Sequence, residues 1–133
     1  MSEIIVLITD YTWPSTEPEA EVLANVGAKL LVAQSGTEEE LLNLVPQADA
    51  ILTCFAGVTS RVVQAGSKLL VIGRYGIGVD NIAVDTATSL GIPVTNVPVY
   101  CADEVAEHTL ALLLASARSV CKYNAAMRLD NWD

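Results

Sequence analysis

The chain is predicted to be an α/β protein built on a doubly wound, five-stranded parallel sheet. Short apolar runs alternate with helical patterns along the first hundred residues, and this alternation is typical of right-handed βαβ units. The runs are rich in Val, Ile and Leu without polar alternation, as expected for strands buried on both faces. Five such strands predict a flavodoxin-like sheet with strand order 2-1-3-4-5.

Each element of this fold has its own sequence signal. The five predicted strands are residues 4–8, 29–33, 50–54, 69–72 and 93–95. The helices between them are predicted over residues 17–26, 38–44, 59–65 and 82–90. Thr37 is expected to cap the second helix, whose first turn carries acids as the helix dipole favours. Residues 103–128 are predicted to form one long C-terminal helix, and its apolar centre requires burial on every side.

Composition narrows the classes of function. The net charge is −9 and the seven cations are scattered, so nucleic-acid binding and binding to anionic membranes are disfavoured. The three cysteines lack Cys-x-x-Cys spacing, which argues against a disulfide framework or a zinc site. No metal is expected, and reduced thiols fit a cytoplasmic protein. The sequence starts without a signal-peptide pattern.

The segment at residues 74–82 is the strongest local signal for a binding site. Glycines at the end of a buried strand let the backbone approach a ligand and present N–H groups to an anion. Gly73, Gly76 and Gly78 give the order Gly-x-x-Gly-x-Gly, whereas a dinucleotide loop requires Gly-x-Gly-x-x-Gly. The segment therefore predicts a substrate loop, with a plain tight turn as the open alternative. Asp10 is interpreted as a turn acid.

Three blocks of sequence, at residues 74–82, 91–98 and 104–114, closely resemble the D-isomer-specific 2-hydroxyacid dehydrogenases. The spacing between the blocks also matches, and the resemblance covers essentially the whole chain. It implies an enzyme that transfers a hydride between NAD (or NADP) and a small D-2-hydroxy acid or 2-oxo acid, and that works as a homodimer.

The resemblance also implies a domain organisation. Residues 1–100 correspond to the N-terminal portion of a split substrate-binding domain that is completed by a short C-terminal return. Residues 101–133 correspond to an inter-domain helix. In the family the sequence continues past a tryptophan like Trp132 into the NAD-binding Rossmann domain, which would hold most of the cofactor.

The family's catalytic Arg, Glu and His lie downstream of this stretch, so none is assigned here and His108 is interpreted as structural. The chain alone is therefore predicted to be inactive. By resemblance, the backbone of Gly76 and Ile77 holds the substrate carboxylate, and Ile77 also approaches the nicotinamide. The implied substrate-binding residues are Gly76, Ile77, Arg74, Asn96, Tyr100 and Phe55.

Two branches of the family and two other functions remain open. Phosphoglycerate-oxidising members carry an Arg in the loop after strand three, where residues 53–57 contain no cation. This weakens a phosphoglycerate assignment, although a phosphoglycerate-dehydrogenase-like branch stays open. The stretches at residues 55–59 and 97–101 look nearer the branch that includes the C-terminal-binding-protein corepressors and their bacterial relatives. An NAD-sensing corepressor or scaffold is one alternative. A phosphorylation receiver is another, but it requires an Asp near Cys54 and a Lys near Val97.

Overall fold

The computed structural model describes residues 3–131 and contains one parallel sheet. Its strands are β1 Ile4–Ile8, β2 Ala28–Val32, β3 Ala50–Thr53, β4 Val71–Arg74 and β5 Val94–Thr95. The strand order is β2-β1-β3-β4-β5 and every pairing is parallel. The predicted fold class and strand order are therefore confirmed. Trp132 lies outside the described residues.

Six α-helices connect and follow the strands in the described part of the chain. They are α1 Glu17–Ala24, α2 Glu38–Leu44, α3 Ser60–Ala65, α4 Val84–Ser89, α5 Ala102–Ala117 and α6 Val120–Arg128. A 3-10 turn, Val45–Gln47, follows α2. The predicted cap of α2 is confirmed, because the Thr37 hydroxyl accepts a hydrogen bond from the N–H of Glu40.

The core holds the strand ends in place. Leu7, Ile51 and Ile72 lie in register on neighbouring strands, and none of them is exposed. They cluster with Leu41 of α2 and Val62 of α3. Full burial of an aliphatic side chain of this size contributes about 1.5–3 kcal/mol. The packing fixes the carboxyl ends of the strands at one common edge, where ligands bind in open α/β sheets.

The fourth strand lies two residues later than predicted. The apolar run suggested residues 69–72, whereas β4 is Val71–Arg74 and Leu70 is 66% exposed. Gly73 pairs with Leu52, and a Cβ at Gly73 would meet the Leu52 Cδ2 atom at 2.8 Å. A larger residue at this position would therefore require the Leu52 side chain to move. Arg74 ends the strand, and the loop after β4 begins at residue 75.

The prediction of one uninterrupted C-terminal helix was wrong. The helix α5 ends at Ala117, and α6 begins at Val120. Between them Ser119 has a φ of 52°, and a left-handed residue ends the hydrogen-bond ladder of a helix. No glycine or proline stands there to signal the break. No helix among residues 3–131 is both long enough and apolar enough to cross a membrane.

The chain separates into two compact units, one up to Pro98 and one from Val99 onward. The first contains the sheet with α1 to α4. The second contains α5 and α6, neither of which contributes a buried residue. The assignment of these two parts to a substrate-binding domain and an inter-domain helix remains a prediction.

Candidate functional site

The loop after β1 is tied to the loop after β3 by the carboxylate of Asp10. The Asp10 carboxylate accepts hydrogen bonds from the N–H of Cys54 at 3.0 Å and from the N–H of Phe55 at 2.7 Å. The hydroxyl of Thr9 donates a third bond at 2.8 Å. Burial alone raises the pKa of Asp10, but the hydrogen bonds outweigh it and leave the pKa below its ordinary value. The ionised Asp10 carboxylate therefore holds the two loops together, a role that the interpretation as a turn acid missed.

The glycine loop, Tyr75–Asp80, is held at its start by the segment after β5. The N–H of Val97 donates to the carbonyl oxygen of Gly76 at 3.0 Å. The side-chain amide of Asn96 donates to the carbonyl oxygen of Ile77 at 2.8 Å. Both bonds use loop carbonyl groups, so they orient the peptide planes while leaving the N–H groups unused.

The far end of the glycine loop is held by the segment after β3. The N–H of Val58 donates to the Asn81 carbonyl at 2.9 Å, and the N–H of Ala83 donates to the Val58 carbonyl at 2.9 Å. The Asn81 side chain adds a bond to the Ala56 carbonyl at 2.9 Å. The loop is thus anchored on both sides.

The backbone N–H groups of Gly76, Ile77 and Gly78 have no hydrogen-bond partner among residues 3–131. Gly76 is buried, whereas Ile77 and Gly78 are exposed. Unpaired N–H groups in a tight loop form a concave site for an anion. Ile77 and Gly78 are thus the two residues of this set that lie at the surface, whereas the pair predicted from the sequence, Gly76 and Ile77, includes the buried Gly76.

Arg74 packs behind this loop. A Cβ on Gly76 would meet the Arg74 Nη1 atom at 2.7 Å, so the guanidinium fills the space that a side chain would need. The Arg74 Cζ atom lies 5.7 Å from the centre of the Phe55 ring, within cation–π range. Burial, and then the charge of Asp10, raise the pKa of the Cys54 thiol, while Arg74 lowers it. A thiol with a raised pKa is a poor nucleophile.

An aromatic cleft of about 580 Å³ flanks the glycine loop. The Trp13 ring meets the Tyr75 ring edge-on, with their centroids 4.7 Å apart. The Tyr75 hydroxyl oxygen and the Glu19 Oε2 atom are both buried there, and neither has a hydrogen-bond partner among residues 3–131. Burial, and then the nearby Glu19 carboxylate, raise the pKa of Tyr75. The cleft is lined by Trp13, Pro14, Ser15, Pro18, Glu19 and Tyr75.

A second set of backbone N–H groups, in the loop after β2, donates hydrogen bonds to a carboxylate of the protein itself. The Glu40 carboxylate accepts from the N–H of Gln34 at 2.7 Å, of Ser35 at 2.8 Å and of Gly36 at 3.0 Å. These bonds lower the pKa of Glu40 to about 2. A cleft of about 460 Å³ lies between this loop and the loop after β1.

The structure brings most of the predicted site residues to one edge of the sheet. Phe55, Gly76 and Ile77 belong to adjacent loops, Arg74 ends β4 beside them, and Asn96 is bonded to the glycine loop. Tyr100 belongs to the second compact unit, so its role stays a prediction.

The sequence interpretation missed the roles of Asp10 and Glu40. Asp10 lies two residues after the end of the interior strand β1, and this position was a usable signal. For Glu40 the signal was the capping-box spacing Thr37-x-x-Glu40. Among residues 3–131, no group of three or more His, Cys, Asp or Glu side chains is placed to hold a metal ion.

The fold is a doubly wound α/β domain with a loop that presents unpaired N–H groups after β4, and sequence comparison defines the family. Residues 6–129 match the family described as D-isomer specific 2-hydroxyacid dehydrogenase, catalytic domain. The chain therefore belongs to this family, as the resemblance of the three blocks predicted.

Individual relatives refine this assignment. D-3-phosphoglycerate dehydrogenase from Methanocaldococcus jannaschii is 42% identical over 130 residues, which are 96% of this chain and 24% of that relative. Further relatives with that name match over most of the chain, which supports the phosphoglycerate-dehydrogenase-like branch. The chain thus spans about a quarter of the length of these relatives.

Solved structures share the fold. A glyoxylate reductase from Paecilomyes thermophila superposes with a TM-score of 0.85 at 22% identity, over 99% of this chain and 43% of that one. The D-lactate dehydrogenase from Aquifex aeolicus, in complex with NAD and lactic acid, has a TM-score of 0.78 at 20% identity, over 97% of this chain and 38% of that one.

Proposed function

We propose that this chain is the substrate-carboxylate-binding part of a nicotinamide-dependent D-2-hydroxyacid dehydrogenase. The observation that carries the proposal is the set of unpaired N–H groups at Gly76, Ile77 and Gly78, on a loop anchored at both ends. A 2-oxo acid needs its carboxylate fixed so that its carbonyl carbon faces the hydride donor. Two loop N–H groups hold a carboxylate in this way without a flexible cationic side chain.

The net charge of the chain makes local N–H groups or positive charge necessary for binding an anionic substrate. The chain carries a net charge of −9, so an anionic substrate is repelled at long range. The guanidinium of Arg74 lies directly behind Gly76 and supplies positive charge where the substrate carboxylate would rest. Because the repulsion is long-range, added salt is expected to weaken it more than the short contacts within the loop.

The exposed apolar side chain of Ile77 fits a nicotinamide cofactor. It is 44% exposed at the tip of the loop, which suits packing against one face of the nicotinamide ring. The cofactor, when bound, supplies or accepts the hydride. The likeness to an NAD-bound D-lactate dehydrogenase supports this class of cofactor, and the proposal covers NAD and NADP alike. In this scheme Ile77 positions the ring, and the loop N–H groups position the substrate.

The substrate we propose is a small 2-hydroxy or 2-oxo acid. Asn96 donates to the Ile77 carbonyl at 2.8 Å, and it therefore shapes the loop that the acid would contact. The relatives named phosphoglycerate dehydrogenase suggest a phosphorylated hydroxy acid, yet residues 53–57 offer no cation for a phosphate. Hydroxypyruvate, glyoxylate and pyruvate are therefore the first substrates to test.

Backbone NMR of the ¹⁵N-labelled chain tests the carboxylate site directly. Pyruvate is expected to shift the amide signals of Ile77 and Gly78, and hydroxyacetone, which lacks the carboxylate, is the matched control ligand. The amides of Ser35 and Gly36 are an internal control, because Glu40 already occupies them. Equal shifts with both ligands, or none at Ile77 and Gly78, would overturn the proposal.

Catalysis requires the family's downstream acid and base residues, so the chain alone is expected to show no NADH-dependent reduction of pyruvate, glyoxylate or hydroxypyruvate. A polypeptide that also carries the nucleotide domain is expected to reduce at least one of them. Turnover by the 133-residue chain would contradict this division of labour.

We also propose that the protein is a homodimer through its second unit. Leu110, Leu112, Leu113 and Leu114 of α5 are each more than half exposed, and an exposed apolar patch of this kind marks an interaction surface. Sedimentation at several concentrations checks this proposal. A monomer at every concentration would argue against it, and a Leu113→Glu variant that dissociates a dimer would support it.

A further inference from the structure

Two carboxylates join β1 to β3, one at each end of this strand pair. At the amino end, the Asp49 carboxylate accepts from the N–H of Ile5 at 2.9 Å. At the carboxyl end, the Asp10 carboxylate accepts from the N–H groups of Cys54 and Phe55. Both acids therefore support the same pairing of strands, but only Asp10 lies on the side of the glycine loop.

A continuous set of contacts leads from Asp10 to the proposed carboxylate site. Asp10 fixes the backbone of Phe55 through a bond of 2.7 Å. The Phe55 ring lies 5.7 Å from the Arg74 Cζ atom, and the Arg74 guanidinium fills the space behind Gly76. Because the Phe55 side chain is 68% exposed, its position depends mainly on its backbone and hence on Asp10.

We propose that Asp10 is a positioning residue for substrate binding: through Phe55 and Arg74 its carboxylate sets the conformation of the loop that receives the substrate carboxylate. Asp10 does not touch the substrate. This inference rests on the proposed function of the glycine loop. A positioning role is distinct from a direct effect of the Asp10 charge, because removing the carboxylate would weaken the binding of an anionic acid in the first case and strengthen it in the second.

The opposite signs make the idea testable. If Asp10 acted only through its negative charge, removing that charge would reduce repulsion and strengthen the binding of an anionic acid. If Asp10 positions the loop, an asparagine that keeps one oxygen acceptor and loses the other would loosen Phe55 and weaken binding. Small misplacements in a binding site reduce productive binding by about tenfold or more.

The experiment compares Asp10→Asn with Asp49→Asn as the matched control. Both variants lose one carboxylate that joins β1 to β3, so both are expected to lower the melting temperature. Only Asp10→Asn is expected to raise the dissociation constant for pyruvate, measured from the Ile77 and Gly78 amide shifts, by roughly five- to tenfold. Asp49→Asn should stay within about twofold of the wild type, the spread expected for a distant site.

The ligand-free spectra separate this inference from the proposed function. In Asp10→Asn the amide signals of Gly76, Ile77 and Gly78 are expected to move without any ligand, and in Asp49→Asn they are expected to stay in place. If the wild type binds pyruvate and Asp10→Asn binds it equally well or more tightly, the inference about Asp10 is overturned and the proposed function stands. No pyruvate response in the wild type would overturn the proposed function and, with it, the assignment of Asp10 to substrate binding.

A second variant guards against a failure of Asp10→Asn to fold. Phe55→Ala removes the ring beside Arg74 but leaves the backbone bonds of the loop in place. Since Phe55 is mostly exposed, this variant is expected to fold and to weaken pyruvate binding by about threefold, consistent with loss of one partly exposed cation–π contact. Unchanged binding in Phe55→Ala would contradict the route through Phe55.

Discussion

Two loops at the carboxyl edge of the sheet present backbone N–H groups, and only one of them is filled. In the loop after β2, the Glu40 carboxylate accepts from the N–H groups of Gln34, Ser35 and Gly36. In the loop after β4, the N–H groups of Ile77 and Gly78 have no partner in the described part of the chain. The loop after β2 thus has a protein carboxylate bonded to its N–H groups, and the loop after β4 has none.

The contrast separates stability from function. A buried N–H group without an acceptor costs about 1–3 kcal/mol; this cost applies to the buried Gly76, whereas the exposed Ile77 and Gly78 are open to water. The first loop shows that the chain is able to supply its own carboxylate at this edge. The second loop is therefore best understood as a place where the carboxylate comes from a ligand. Substitutions in the two loops should differ accordingly.

The largest expected effect is on stability, in the filled loop. Gly36 has a φ of +63°, and a Cβ there would meet the Thr9 backbone oxygen at 2.8 Å. Gly36→Ala is therefore expected to lower the free energy of unfolding by about 2–3 kcal/mol, since strain and a backbone clash combine. Gly27→Ala is the control, because Gly27 has a φ of +69° but open space around it. Urea unfolding measures both, and equal losses would contradict the role given to the clash.

The next effect is on binding, in the open loop. A Cβ in Gly76→Ala would displace the Arg74 guanidinium, which is the end of a flexible side chain, so the stability loss is expected to stay below about 1 kcal/mol. The dissociation constant for pyruvate is expected to rise about tenfold, as for a misplaced binding group. If displacement of Arg74 is the cause, the double variant Arg74→Ala/Gly76→Ala will be non-additive. Full additivity of the two changes would argue against that cause.

A smaller effect is expected from the anchor of the open loop. Asn96→Ala removes the bond from the Asn96 side chain to the Ile77 carbonyl, worth about 0.5–1 kcal/mol. Asn43→Ala removes a comparable exposed bond, from the Asn43 side chain to the Glu39 carbonyl at 2.9 Å. Asn43→Ala should lose less stability than Asn96→Ala in thermal unfolding, because alanine is the better helix former inside α2. Only Asn96→Ala should weaken pyruvate binding, and a matching loss in Asn43→Ala would mean that general stability governs binding.

The smallest expected effect is a pH-dependent one in the filled loop. The pKa of Glu40 is lowered from 4.5 to about 2 in the folded chain, so its contribution to stability is complete above about pH 4.5 and is lost as the pH falls toward 2. Glu40→Gln keeps an oxygen acceptor, so its melting temperature should be modestly lower at pH 7, and the difference should vanish near pH 2. Glu39→Gln serves as the control. A constant difference at all pH values would contradict the role of the charge.

The parts of the fold that depend on local patterns were predictable, and the parts that depend on long-range partners were not. The strand order followed from uninterrupted apolar runs, and the cap at Thr37 followed from residue type. The role of Asp10 did not follow, because its partners Cys54 and Phe55 are 44 and 45 residues away. The break at Ser119 was also hidden, since helix-forming residues surround it and serine rarely signals a left-handed conformation.

In the candidate site, the glycine spacing at Gly76 and Gly78 predicted a loop for an anion, but not which N–H groups would remain open. That distinction required the positions of Asn96 and Val97, which bond the loop carbonyl groups. Hydrogen bonds made across the sheet edge depend on the register of β4 with β5, and the predicted start of β4 was two residues too early.

The bridge between Val58 and Ile82 has a consequence for the speed of recognition. It closes the glycine loop onto the neighbouring segment before any ligand arrives, so the entropy of ordering the loop is lost during folding and not on encounter. Association with an acid should then be limited by diffusion and long-range repulsion, without a slow conformational step. Differences in affinity among substrates and variants should accordingly arise in the dissociation rate.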